Sequence, residues 1–514
     1  MAYSTFAAID IGSFEVSMKI YEVSPKKGMR QIDYVSHSID LGTDSYTKGK
    51  IDSERLDELF GILKEFRKIM KTYRVDDYKA YGTSAIREAV NRNILLSQIE
   101  QVTGIKVDVL SNSEQRFLDY KSVAFQGEKF EKFIEKGTAI YDVGGGSVQM
   151  SLFSKDTLIS TQNMRLGVLR MQERMHSMGA SMRQYDALIR ELAQSQLSVY
   201  KRLYLKDKEI DNLIIVDDYI SNAVIKGKIG GEKDNIFGRE TVEEYLKMSR
   251  ELGRSEIASR LSVSENDIPL LYISLILLDE VMLTTGATKI WAPGVTLCDG
   301  IAYEYAEYNN FLTSSHKFEN DIISCAMQIS KRYMGSKKRS ETLENIACRI
   351  FDATKEVHGM GAREKLLLRL AAMLHDCGKY ISMQNLAECS YGIIMSTEII
   401  GISHKERTIV ANTVKYNQLP FEYYEELSSH ESIERKDHMK IAKLTAILRL
   451  ANGLDRSHKM KFKDVEVEAK NGMLNITVST DEDIALEKGL FGNRAAFFEE
   501  VYNLKPVIRQ KRSI

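Results

Sequence analysis

The first third of the chain switches between two hydrophobic periods. Phe6–Asp10 is a short apolar run, and Phe14–Val23 alternates apolar and polar positions as a half-buried strand does. Pro25–Gly28 turns the chain, and Gln31–Ile39 reads as a third strand. From Asp52 to Tyr73 the period becomes helical: Leu56, Leu59, Ile62, Leu63, Phe66 and Ile69 share one stripe, with Asp52 or Ser53 as N-cap. A strand at Tyr78–Gly82, a helix from Ser84, a strand at Ile105–Leu110 and a helix from Ser113 complete the pattern.

The opening then recurs. Thr138–Asp142 is a strand that ends in Asp-Val-Gly, as Phe6–Asp10 leads into Asp-Ile-Gly, and Val148–Phe153 and Thr157–Asn163 follow as further strands. Two strands of this kind predict an internally duplicated α/β unit. Leu213–Val216 is one more strand, and the apolar run Leu270–Leu278, between Asp267 and Asp279, reads as a buried helix too short to cross a bilayer. Beyond about Asn310 strand signals give way to helical periodicity up to about Asp455. Lys463–Val478 alternates again as a hairpin, and a helix and tail run from Leu486 to Ile514. The implied segments are 1–125 and 126–310 for the duplicated α/β halves, 311–460 for a helical domain and 461–514 for a small α+β unit.

Composition narrows the class. The 514 residues are 43% apolar and 28% charged, with 71 basic against 72 acidic side chains, so neither a nucleic-acid coat nor a polybasic membrane binder is expected. Five cysteines without a CxxC pair support neither a disulfide framework nor a zinc ribbon. The N-terminal MAYSTFAAIDIGS lacks a secretory pattern, so a reducing cytoplasm is the default expectation.

Three loops carry candidate chemistry. Gly144-Gly145-Gly146-Ser147 lies between two strands, where glycines let backbone amides approach a phosphate. Asp142 precedes it and is placed to hold a divalent cation; Asp10, Gly12 and Ser13 are the equivalent positions of the first loop. Thr83 and Ser84 open a helix whose start favours an anion, and Arg87 can fork onto phosphate oxygens.

In this order AAIDIGS, YGTSAIREA, SNSEQRFLDY and YDVGGGSVQMSLF resemble the exopolyphosphatase and guanosine pentaphosphate phosphohydrolase (Ppx/GppA) family, and the likeness continues through RLGVLRM, DGIAYEYA, LLRLAAMLHDCGKYIS and ILRLANGLDRSH. The resemblance implies duplicated actin/sugar-kinase/heat-shock-ATPase (ribonuclease H-like) domains, an all-α HD-type domain and a small α+β unit. It also implies a magnesium ion on Asp142 and Asp10, polyphosphate or a guanosine nucleotide as ligand in the cleft between the α/β halves, and a homodimer.

The chain departs from the family where chemistry is expected. The family's Gly-Gly-Gly-Ser-Thr-Glu reads through Val148 to Gln149, and its Ser-Gly-x-Glu-Glu-Ala reads Ser111-Asn112-Ser113-Glu114-Gln115-Arg116, which puts the catalytic glutamate on Gln115. Phe14 stands for an asparagine, Asp217-Asp218-Tyr219-Ile220 for a Gly-x-x-Gly-Thr loop, and Leu297-Cys298 for Leu-Arg. In the HD-type segment His375 and Asp376 remain, whereas an upstream histidine falls on Thr342, a later one on Asn417, and a cluster on Leu386–Ser390. That domain is then structural, with His375 a partly buried, hydrogen-bonded residue. Glutamine cannot act as a general base, so the resemblance yields three readings: a phosphate binder with weak or lost hydrolysis; an active phosphohydrolase using Glu114, or Glu15, as base; and a scaffold whose cleft is plugged by Phe14, Tyr219 or Val148.

Overall fold

The computed structural model of the chain describes residues 3–227, 235–313, 316–428, 433–462 and 464–511. The chain forms two compact units, Met1–Lys317 and Phe318–Ile514.

In the first unit, β1 (Ser4–Ile11), β2 (Glu15–Ser24) and β3 (Gly28–Ser38) form an antiparallel meander, and β4 (Asp77–Gly82) and β5 (Asp108–Val109) continue the sheet in parallel, in the order β3-β2-β1-β4-β5. A second sheet repeats this plan with β6 (Thr138–Val143), β7 (Val148–Ser154), β8 (Thr157–Met164) and β9 (Asn212–Val216): β6 pairs antiparallel with β7 and parallel with β9, as β1 does with β2 and β4. β10 (Ile236–Gly238) and β11 (Lys289–Trp291) extend its far edge. The recurrent Asp-x-Gly signature thus reports a real duplication of topology. Both signatures sit where a central strand turns into its antiparallel neighbour.

Helices are placed by their apolar stripes. α1 (Ser53–Thr72) buries Leu56, Leu59, Ile62, Leu63 and Phe66 against the first sheet, as its periodicity requires. α2 (Ser84–Glu88) follows β4, and α3 (Asn112–Ala124) follows β5. α4 (Val168–Ser177) follows β8. α5 (Ile268–Thr285) contains the apolar run and is buried almost throughout; with the residues before it, it is long and apolar enough to cross a membrane, but here it is a core helix. Its buried Asp279 and Glu280 are paired by Arg190 at 2.7 Å, and Arg239 reaches Asp279 at 2.9 Å. α6 (Leu297–Tyr308) packs so closely on α3 that a Cβ on Gly300 would lie 2.0 Å from the Leu118 carbonyl oxygen. Cys298, at the expected arginine position, is fully buried and its Sγ lies 3.4 Å from the Ala8 carbonyl.

The second unit is helical, with a small sheet at its C-terminal end. Its principal helices include α7 (Lys337–Ala353), α8 (Ala362–Leu374), α9 (His404–Tyr416), α10 (Arg435–Leu454) and α11 (Ala485–Tyr502). β12 (Val465–Lys470) and β13 (Met473–Ser479) form the expected hairpin, whose first expected residue, Lys463, lies outside the described residues. The tail is a strand rather than a loose end: β14 (Lys505–Lys511) pairs parallel with β13, and α11 makes the crossover that a parallel pair needs. The hairpin was readable from period-2 alternation, whereas this third strand depends on the helix returning the chain to it.

Around His375 the helices converge on an arginine. Thr342 bonds back into its own helix, donating to the Lys338 carbonyl, and the α7 residue that reaches inward is Arg339. Arg339 Nη1 donates to Asp376 at 3.2 Å, Nη2 to Asn452 at 3.1 Å, and Nε lies 3.5 Å from Asp455. His375 is 1% exposed, more deeply buried than expected, with Nδ1 2.7 Å from the Ala372 carbonyl. Burial pushes its imidazole down to about 4, against the opposing pull of Asp376.

A pH dependence follows. The unfolded chain protonates this imidazole near pH ~6.5 and the folded chain resists, so the stability it contributes is present above that pH and is lost as the pH falls toward the folded value. The urea midpoint of this unit is expected to drop between pH ~6.5 and ~4.5, with His375→Gln flattening the slope. An unchanged slope in His375→Gln would assign the acid sensitivity to other groups.

Candidate functional site

The first loop, between β1 and β2, is tightly built. Gly12 N–H donates to the Glu15 carbonyl at 2.9 Å, and a Cβ on Gly12 would meet that oxygen at 2.8 Å. Ser13 Oγ, Tyr46 Oη and Ser84 Oγ form a closed triangle with sides of 2.7, 2.7 and 2.8 Å. Three hydroxyls carry three donors, and the three bonds of the ring use all of them. A phosphate oxygen accepts hydrogen bonds only, so Ser13 and Ser84 can serve an anion only by opening this ring. Thr83 Oγ1 is committed as well, to the Ile11 carbonyl at 3.2 Å.

The glycine turn between β6 and β7 is held differently. Gly144 N–H closes it onto the Ser147 carbonyl at 2.9 Å. The carbonyls of Gly144, Gly145 and Gly146 accept from Val168 N, Arg170 N and Arg170 Nε at 3.2, 3.1 and 3.0 Å. The start of α4 therefore fastens the carbonyl edge of the turn. Gly167 makes this possible, since a Cβ there would lie 2.2 Å from Gly146 C and Ser147 N, inside the backbone.

Two cavities meet at this turn. One is a cleft with about 1050 Å³ of empty space, reached by Gly12, Gly144, Gly145 and Gln115. Its acidic side chains are Asp10, Glu15, Asp119, Asp142, Asp217 and Asp267, against one guanidinium, Arg116. Asp217, at the start of the expected phosphate loop, is occupied structurally: it accepts from Ile220 N at 2.5 Å and Ser274 Oγ at 3.0 Å, while the Asp218 side chain lies outside the described residues. Phe14 and Tyr219 pair on the wall with ring centroids 6.3 Å apart and leave the cleft open, and Val148 belongs to the core.

The other cavity is basic. Arg87, Arg165 and Arg170 surround Gly146 and Ser147, with Glu88 as the acidic residue and Asn112 and Asn163 completing the wall. Arg170 also lies 5.4 Å over the Tyr46 ring. Arg87 Nη1 donates to the Leu110 carbonyl at 2.8 Å and to Gln115 Oε1 at 3.3 Å, so Gln115 sits where the two cavities approach each other.

The expected phosphate residues are thus divided. Arg87, Gly146 and Ser147 line the basic cavity; Asp10, Gly12, Ser13, Thr83, Ser84, Gly144 and Gly145 line the acidic cleft. The expected catalytic positions are divided too. Gln115 and Asp142 face the cleft. Glu114 instead closes a capping box on α3: its carboxylate accepts from Ser111 N at 2.9 Å. Gln149 is buried across the ladder from Asp142, with Nε2 3.4 Å from Ser151 Oγ.

Arg116, Asp119, Arg165 and Arg170 were not singled out from sequence. Arg165 and Arg170 were visible in the quoted RLGVLRM segment, and Arg116 occupies the final alanine position of the Ser-Gly-x-Glu-Glu-Ala pattern. Arg116 is 5% exposed, pairs with Asp142, reaches Ser147 Oγ at 3.3 Å and lies 3.9 Å from Asp119. Burial, and then the Asp142 carboxylate beside it, push Asp119 well above the usual carboxylate range.

This donor set does not fit the magnesium expected on Asp142 and Asp10. Magnesium takes six oxygens with little tolerance, and here a guanidinium already holds one Asp142 oxygen. Like charges about 4 Å apart repel by about 4 kcal/mol per unit charge at an effective dielectric of ~20.

The profile of the Ppx/GppA phosphatase family matches residues 20–308, and that of Ppx/GppA phosphatase domain III matches residues 323–493. A guanosine-5'-triphosphate,3'-diphosphate pyrophosphatase of Photobacterium profundum is 19% identical over 87% of this chain and 86% of its own length. Exopolyphosphatase 1 of Mycobacterium leprae is 28% identical over 28% of this chain, which spans 41% of that relative. The crystal structure of an exopolyphosphatase from Cytophaga hutchinsonii superposes with a TM-score of 0.52 at 19% identity, covering 59% of this chain and 98% of that one, and so shares the fold.

Proposed function

The chain belongs to the Ppx/GppA phosphatase family, and from that premise we propose that it binds a run of linked phosphates, as polyphosphate or a phosphorylated guanosine nucleotide, with hydrolysis of the terminal phosphate weak or lost. The observation that carries the reading is the division of charge about the glycine turn. Three arginines meet on its Gly146–Ser147 side, where a polyanion gains charge-assisted hydrogen bonds. On its Gly144–Gly145 side the cleft is lined by Gln115, which we read as standing at the family's glutamate position.

Each part has a physical role. The arginines attract and orient the phosphate chain. Gln115 keeps a hydrogen-bonding amide beside Arg87 but cannot accept a proton from water. Glu114 is committed to its helix cap, which leaves Glu15 as the better-placed of the two acids considered as bases. A homodimer in the cytoplasm belongs to the same proposal, and light scattering on the purified chain checks the oligomeric state.

The test is phosphate release from long-chain polyphosphate and from guanosine pentaphosphate, with binding measured on the same samples. Wild type is expected to bind and to release little. Gln115→Glu is expected to raise release by about 10²-fold, the low end of general-base assistance. Gln149→Glu, which buries another carboxylate beside Asp142, is expected to destabilise the fold without that gain. Fast wild-type turnover abolished by Asp142→Ala would overturn the proposal in favour of an active hydrolase.

A further inference from the structure

Arg116 is a fixed, buried positive charge at the place where a divalent cation is expected. It leaves the second turn of α3, pairs with Asp142, lies 3.9 Å from Asp119 and extends Nη2 to Ser147 Oγ at 3.3 Å. A Cβ built on Gly144 would be 3.5 Å from Nη2, so the guanidinium lies directly under the glycine turn. It therefore touches both ends of the turn that separates the acidic cleft from the basic cavity.

We propose that Arg116 is a built-in cation that takes over the electrostatic role of a divalent metal, so that this cleft binds phosphate chains without one. The inference rests on reading the cleft as a phosphate site. Its physical basis is the position of the guanidinium. Arg116 sits between the two carboxylates, paired with Asp142 and 3.9 Å from Asp119, and so occupies with a permanent positive charge the oxygen that a cation would need. An incoming dication finds one Asp142 oxygen already held and is repelled by the guanidinium at close range. An arginine does not lose its proton and cannot be chelated, so the site keeps its charge when divalent ions are scarce. The guanidinium also has donors in a planar fork suited to phosphate oxygens.

The full-length protein is titrated with Mn²⁺ alone, followed by electron paramagnetic resonance and calorimetry. Wild type is expected to show no saturable Mn²⁺ site in the cleft. Arg116→Ala is expected to bind one Mn²⁺ at least ~10²-fold more tightly than wild type, and adding Asp142→Asn is expected to remove that site again. Arg116→Lys, which keeps the charge, is expected to behave like wild type and stands as the reference if Arg116→Ala does not fold. One saturable Mn²⁺ ion in wild type, lost in Asp142→Asn, overturns the inference.

A second arm uses sodium tripolyphosphate in chelator and in magnesium. Equal affinity in both is the expected result, and binding that requires magnesium overturns this inference alone. Absence of binding in both overturns the phosphate reading on which it rests.

Discussion

Arg165→Ala with Arg170→Ala is expected to weaken tripolyphosphate binding by about 10²-fold while leaving the fold intact. A hydrogen bond to a charged group contributes about 1.5–3 kcal/mol, and two of them would give more than this loss if both were fully desolvated. Arg165 is exposed and Arg170 is partly so, and the estimate is discounted for solvent screening. Arg165→Ala alone should cost about 10-fold, because Arg170 is the residue anchored on the turn through Gly146. The dependence of affinity on salt should flatten in the double variant, since screened charge attraction is what has been removed. Calorimetry at two salt concentrations measures both effects, and far-ultraviolet circular dichroism checks the fold. Unaltered affinity would place the ligand elsewhere.

Asp142→Ala is expected to destabilise the first unit by about 3–5 kcal/mol. Removing the close partner of a buried ion pair leaves Arg116 charged, with only the more distant Asp119 carboxylate at 3.9 Å to face it, and Arg116 cannot discharge itself. For a unit of this size the loss corresponds to roughly 5 °C in its melting transition. Asp142→Asn, which keeps an acceptor for Arg116, should lose less. The contrast separates a structural ion pair from a metal site: divalent ions should not raise the wild-type melting temperature, whereas a site built for metal would be stabilised by its ligand. Thermal scans with and without magnesium provide the measurement, and the second unit's transition serves as the internal reference.

Much of the fold was legible because its signals are local. A short apolar run placed β1, period-2 alternation placed β2, the repeat of the Asp-x-Gly ending placed β6, and the helical stripe of α1 named the residues that its packing buries. The two Asp-x-Gly turns exposed the duplication, since each ends a central strand with the same pairing plan. β14 was not legible, because a short parallel strand takes its partner from the path of α11 rather than from its own pattern.

The site was legible as motifs and not as a charge distribution. Sequence reading brought Arg87 and the glycine turn together with Asp10, Asp142 and Gln115, and the structure places them about two adjoining cavities. It did not show that Ser13 and Ser84 satisfy one another through Tyr46, which is a contact across 33 and 38 residues. The motif put the catalytic position on Gln115 but kept Glu114 as an alternative base; only the structure shows which side of α3 each faces, the one folding back on the helix end and the other looking into the cleft. Arg116 read as one more altered position in a worn motif. Its meaning appears only when Asp142, 26 residues away, is brought against it. In the second unit Arg339 stands in the same relation to Asp376 and Asp455, so both units place an arginine among buried carboxylates.

The most direct test of the central claim is a paired measurement on one wild-type preparation: equilibrium binding of long-chain polyphosphate and release of orthophosphate from it, both in the presence of magnesium. The account predicts saturable, salt-sensitive binding with release close to the uncatalysed background. Sustained release that disappears in Asp142→Ala would contradict it, and would mean that the cleft performs the family's chemistry with a base other than Gln115.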